Sequence, residues 1–190
     1  MSTARQSDES MLVAPLRDGL ADLHACMAVL GHSTVTIETW RHPLRAKMLG
    51  ENGASKNGDR SLHCWLDKDG KPQSYAVDIG NARGVGKPGT KRAGKVDWWS
   101  DWVMAPDDKP VETRFFEELE DTAIALGWFR ILSPGVKHVY GDGSAESWDA
   151  PHIQAIPVSA QNRFRAMKPD ARLAELVAMR AKREASIRST

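Results

Sequence analysis

Two stretches of this 190-residue chain concentrate side chains able to do acid, base or metal chemistry. One runs from Ser61 to Asp78, SLHCWLDKDGKPQSYAVD, and offers His63 and Asp78. The other, WDAPHIQ from Trp148 to Gln154, offers Asp149 and His152. Two imidazoles and one carboxylate are a sufficient set for catalytic zinc, which takes three protein ligands and leaves a fourth position for water. His63, Asp78 and His152 supply that set. Water bound to Zn2+ has a pKa near ~7, so hydroxide is at hand at neutral pH. A second carboxylate, not itself a ligand, must then take the water's proton and pass it to the leaving amine. Asp149, three residues before His152, is placed for this where Pro151 bends the chain, because residues three apart on a regular strand face opposite sides.

The elements that must carry these groups read as α+β. Apolar residues at helical spacing (Leu20, Leu23, Met27, Leu30) predict a helix from about Leu16 to Leu30, closed by Gly31. Thr34 to Trp40 is rich in β-branched residues and alternates, which favours a strand, and Pro43 to Leu49 reads as a short helix before Gly50. Ser61 to Asp78 reads as a hairpin turning around Asp69, Gly70, Lys71 and Pro72. A four-residue loop sets His63 opposite Asp78, and a two-residue loop sets Asp78 diagonal to it. Both registers leave the two side chains on one face, with Cys64, Tyr75 and Val77 toward the core. Further on, a Gly/Lys/Arg loop (82–97), a helix from Val111 to Leu126, a short strand from Pro151 to Pro157 and an amphipathic helix from Asp170 to about Ser186 are expected.

Length and composition bound the rest. With 41% hydrophobic and 27% charged residues, the chain is expected to fold as a single domain over 1–190, with a polar tail at 1–10 and a C-terminal helix within 168–190. The net charge of +1 gives no sign of nucleic acid as a partner. Cys26 and Cys64 make no disulfide framework, and no apolar run is long enough for a signal or a membrane span. The chain is therefore expected to be made in the cytoplasm and not to insert in a membrane. Gly84-Val85-Gly86-Lys87-Pro88-Gly89 matches a dinucleotide fingerprint by letters alone, since no apolar helix follows, and Asp67-Lys68-Asp69-Gly70 is too short for a calcium loop. His24, His32, His42 and His138 have no motif around them.

The chain resembles the zinc peptidases grouped with D-Ala-D-Ala carboxypeptidases and phage L-alanyl-D-glutamate endolysins, whose fold is shared with the Hedgehog signalling domain. The residues that carry the resemblance are Ser61-Leu62-His63, Ala76-Val77-Asp78 and Asp149-Ala150-Pro151-His152, together with Arg41 and the loop Gly53-Ala54-Ser55-Lys56. Leu126-Gly127-Trp128 is similar to the end of the helix that precedes the last motif. One departure stands out: fourteen residues separate His63 from Asp78, where the family has a shorter spacing, and the excess falls in 66–73.

The resemblance implies a small antiparallel sheet that carries the zinc site against helices. It implies hydrolysis of a peptidoglycan stem-peptide bond, L-Ala-D-Glu by the aspartate at position 149, with Ser61 hydrogen-bonding substrate and Arg41 clamping a carboxylate or stabilising the oxyanion. It also implies an enzyme that, if phage-encoded, reaches the wall in the periplasm or outside with the help of a holin; a monomer is favoured, with the oligomeric state left open. The alternatives are a D-Ala-D-Ala carboxypeptidase or dipeptidase, and a metal-bound binding module without turnover.

Overall fold

Leu16, Leu20, Leu23 and Met27 recur at spacings of three and four, and all four are buried along one stripe of helix α1, Ala14–Val29. Pro15 sits in its first turn, where a missing N–H costs nothing, and Gly31 ends it with φ +87. The computed structural model describes residues 4–52, 61–129, 137–139, 145–147 and 152–188.

The architecture is α+β, with a small antiparallel sheet packed against helices. Strands β1 (Thr34–Glu38), β2 (Ala76–Asn81) and β7 (His152–Gln154) form it in the order β1-β2-β7. Between them come α2 (Pro43–Glu51), the hairpin of β3 (Trp102–Met104) and β4 (Pro110–Glu112), α3 (Phe115–Ala125), and the hairpin of β5 (Lys137–Val139) and β6 (Ala145–Ser147). Helices α4 (Gln161–Ala166) and α5 (Pro169–Arg188) close the chain. Central strand β2 is buried throughout, so it must serve two environments. Val77 and Ile79 join the core of Leu16, Leu20, Phe115, Leu119, Trp128 and Ile153, and period-two alternation turns Asp78 to the opposite face.

Three expectations are corrected. The helix expected from Val111 starts at Phe115, because Pro110–Glu112 pairs with Trp102–Met104 instead. Its N-terminus is capped from a distance: Phe116 N donates to Asp101 Oδ1 at 3.0 Å and Thr113 N to the Asp101 carbonyl at 2.8 Å. The strand expected over Pro151 to Pro157 is shorter, His152–Gln154.

The third correction concerns the hairpin at Ser61 to Asp78. The chain does double back, but Leu66 pairs with Pro72 and Gln73 N donates to the Trp65 carbonyl at 2.9 Å, a register that neither expected loop produces. Before that pairing, Leu62–Cys64 curls into a 3-10 turn, so His63 is not on a strand and does not face Asp78 across a ladder. The observed register, with a three-residue loop Lys68–Gly70, follows from the turn chemistry: Asp67 Oδ1 accepts from the backbone N–H of Asp69 and Lys71, and Gly70 takes φ +75.

Candidate metal centre

The sheet itself brings two of the three expected ligands together. Asp78 on β2 is the direct antiparallel partner of His152 on β7, and neighbouring Cβ atoms in such a pair lie about 5 Å apart on the same face. His63 arrives by the 3-10 turn, which is fastened on both sides. Ser61 Oγ accepts from His63 N at 3.4 Å, Tyr75 N donates to the Leu62 carbonyl at 3.1 Å, and Arg41 N donates to the His63 carbonyl at 2.9 Å. Fourteen intervening residues thus do not separate the ligands, although the route is a curl and not the extended face predicted from the sequence.

The His63 ring is oriented by its backbone neighbour. Nδ1 donates to the Thr39 carbonyl at 2.9 Å, which assigns the proton to that nitrogen and leaves the Nε2 lone pair for the site. His63 Nε2 lies 3.2 Å from Asp78 Oδ1 and 3.2 Å from His152 Nδ1, and His152 Nδ1 lies 3.0 Å from Asp78 Oδ1. These three atoms make a nearly equilateral triangle. For Zn–N and Zn–O bonds of about 2.0–2.1 Å, the edge of a tetrahedron is roughly 1.6 times the bond, about 3.3 Å. The observed edges of 3.0 to 3.2 Å match that spacing, so the donor set fits a divalent ion such as zinc by chemistry and by size.

All three residues are buried, with His63 0%, Asp78 3% and His152 4% exposed. Burial pushes the Asp78 carboxyl up, but when the two imidazoles are protonated, before a metal takes the place of those protons, the charge of His63 and the hydrogen bonds from His152 and His63 outweigh it and hold the group well below the usual carboxylate range. Asp78 is thereby kept as an anion, the form a metal requires.

Arg41 stands beside this cluster, its Nη2 3.8 Å from Asp78 Oδ2. Burial lowers the affinity of its guanidinium for the proton, while hydrogen bonding and charge from Glu38, then Asp78 and Cys64, raise it further and leave the group firmly cationic. Ser61 is buried and spends its hydroxyl on the His63 turn. Asp149, Trp148, Pro151 and the loop Gly53-Ala54-Ser55-Lys56 lie outside the described residues. Of the histidines without a motif, His42 accepts from Leu44 N and caps α2, His24 bonds Thr34 Oγ1, and His32 pairs with Glu118.

Two neighbours of the site were not singled out from sequence. Glu38 is 2% exposed and is held by Arg41 and Arg45, and Thr39 provides the carbonyl that orients His63. The available signal was a carboxylate inside the otherwise apolar and β-branched run Thr34-Val35-Thr36-Ile37-Glu38. A register shift between Thr36 and Glu38 hides it from simple alternation.

Compared with models of known protein families, with curated proteins and with solved structures, the chain matches none of them.

Proposed function

We propose that the chain is a zinc-dependent peptidase that hydrolyses an amide bond in the stem peptide of peptidoglycan, L-Ala-D-Glu in the first instance. The observation that carries this reading is the buried triangle of His63 Nε2, Asp78 Oδ1 and His152 Nδ1. His63, Asp78 and His152 would hold the zinc, which when bound would supply Lewis-acid polarisation of a carbonyl and a water acidic enough to ionise near neutral pH. The rest of the chemistry belongs to the chain. His63 and His152 donate lone pairs, Asp78 supplies the compensating charge, and Arg41 presents a cation next to them for an oxyanion or a substrate carboxylate. Asp149 is assigned as the proton carrier between water and leaving amine by its place three residues before His152, and Ser61 as a substrate contact by the resemblance. Support for a Hedgehog/DD-peptidase-type fold comes from the small antiparallel sheet with ligands on adjacent strands, packed against helices.

A second reading is favoured by a specific observation. The near-complete burial of the three ligands also suits a metal that fastens the His63 turn to the sheet in a binding module without turnover. Access to the wall is part of the first reading alone. Among the described residues no helix is long and apolar enough to cross a membrane. As part of this proposal, the enzyme reaches its substrate through a holin.

Digestion of purified sacculi beside free D-Ala-D-Ala separates the possibilities. New amino termini on D-Glu support the proposal. Release of terminal D-Ala or hydrolysis of the dipeptide assigns a carboxypeptidase or dipeptidase, and zinc binding with no product from either substrate assigns the binding module.

A further inference from the structure

Glu38 faces the ligand Asp78 directly across the β1–β2 ladder, so Glu38, Asp78 and His152 occupy three adjacent strands at one level of the sheet. A carboxylate buried to 2% exposure demands compensation, and Glu38 has it twice. Its Oε2 accepts from Arg41 Nε at 2.9 Å and from Arg41 Nη2, and its Oε1 accepts from Arg45 Nε at 3.0 Å. Both oxygens are thereby used, and Glu38 is not among the groups whose donor atoms converge on the candidate metal position.

The arrangement continues to the ligand. Arg41 Nη2 approaches Asp78 Oδ2 at 3.8 Å, whereas Asp78 Oδ1 is the oxygen turned to both histidines. The guanidinium therefore has two opposed effects. It occupies the side of Oδ2 and leaves Oδ1 for a cation, yet its own charge repels a divalent ion through a poorly screened interior. Among the described residues, two cations (Arg41, Arg45) and two anions (Glu38, Asp78) sum to zero in the intact cluster. Without the charge of Glu38 the same cluster is left at +1.

We propose that Glu38 is a positioning residue of the metal centre, which by neutralising and aiming Arg41 fixes Asp78 as a one-oxygen ligand and sets the affinity of the site for divalent cations. This rests on the reading of His63, Asp78 and His152 as metal ligands. A merely structural ion pair makes a different demand, since it requires only that the charges balance for folding and leaves metal affinity indifferent to which partner is removed.

The test is zinc competition against a chromophoric chelator at fixed pH and salt, on the full chain and three variants. Glu38→Gln is expected to weaken zinc binding by at least ~10-fold, the scale of losses from supporting residues around metal ligands. Arg45→Gln removes a cation from the same cluster and is expected to tighten it by about threefold or more. The double variant Glu38→Gln/Arg45→Gln returns the sum to zero and is expected to recover most of the loss. The Arg45 side chain is 19% exposed, so its variant decides the matter even where Glu38→Gln fails to fold. Affinity that is unchanged in all variants, or that falls with Arg45→Gln, overturns the role of Glu38 and leaves the centre standing. Absence of zinc binding by the wild-type chain overturns the centre itself, and this inference with it.

Discussion

His63 can ligate only through Nε2, because Nδ1 is committed to the Thr39 carbonyl, and its value to the site lies in that commitment. Two aspartates, by contrast, are given different work. Asp78 sits between both histidines, so Asp78→Asn is expected to lose the metal, whereas Asp149→Asn is expected to keep zinc near normal and lower turnover by at least ~100-fold. Metal analysis and kinetics on both variants check this, and identical behaviour of the two contradicts the assignment. The grouping of His63, Asp78 and His152, which the fold brings together, was legible in the sequence through the order of Ser61-Leu62-His63, Ala76-Val77-Asp78 and Asp149-Ala150-Pro151-His152 that carries the resemblance. Glu38 and Thr39 were not, because their roles depend on a strand irregularity and a backbone carbonyl, neither of which has a residue signature.

A different residue reports on the core. Tyr75 is fully buried, and its hydroxyl has no hydrogen-bond partner among the described residues. Burial pushes its phenol up to about 12, against a smaller opposing effect of Arg172. The neutral form is the one the fold favours, so the contribution is present below the unfolded value near ~10 and is lost as pH rises through the folded value. Tyrosinate absorbance is expected to show one late transition that vanishes in Tyr75→Phe. The same variant is expected to be as stable as wild type or up to about 1 kcal/mol more stable, since an unpaired buried hydroxyl is removed. A loss above that amount contradicts this account of the site.

At the scale of elements, helix α1 tests how packing overrides propensity. A Cβ at Gly19 would lie 2.4 Å from Trp128 Cζ2, so the glycine exists for the indole that crosses it. Alanine gains about 1 kcal/mol of helix propensity there, but overpacking a buried contact costs about 1–3 kcal/mol. Gly19→Ala is therefore expected to lower stability in urea unfolding, and an increase contradicts the packing. Helix α1 was readable from its 3.6 period, α5 from its Ala/Leu/Arg/Lys/Glu-rich composition, and β1 from its β-branched residues and alternation. The turn at Leu62–Cys64 was not, because a three-residue curl has no period and the same-face argument assumed an extended chain. The start of α3 was hidden for a related reason: its cap, Asp101, lies far upstream in sequence.

Across the whole molecule, α5 lies over an aromatic layer. Arg172 stacks on Trp65 at 4.8 Å, Arg180 on Trp128 at 3.6 Å and Arg183 on Phe129 at 4.3 Å. Phe129 in turn exchanges backbone hydrogen bonds with Gln154 on β7, two residues from His152. The terminal helix thus braces the strand that brings the second imidazole. Central to the proposed function is that His63, Asp78 and His152, brought together by the sheet and the turn, hold a metal ion. The most direct test is the zinc content of dialysed protein by elemental analysis, for wild type and for the His63→Ala/His152→Ala double variant. The account predicts about one zinc per wild-type chain and none retained by the double variant. Zinc absent from folded wild type after supplementation, or retained unchanged by the double variant, would contradict it.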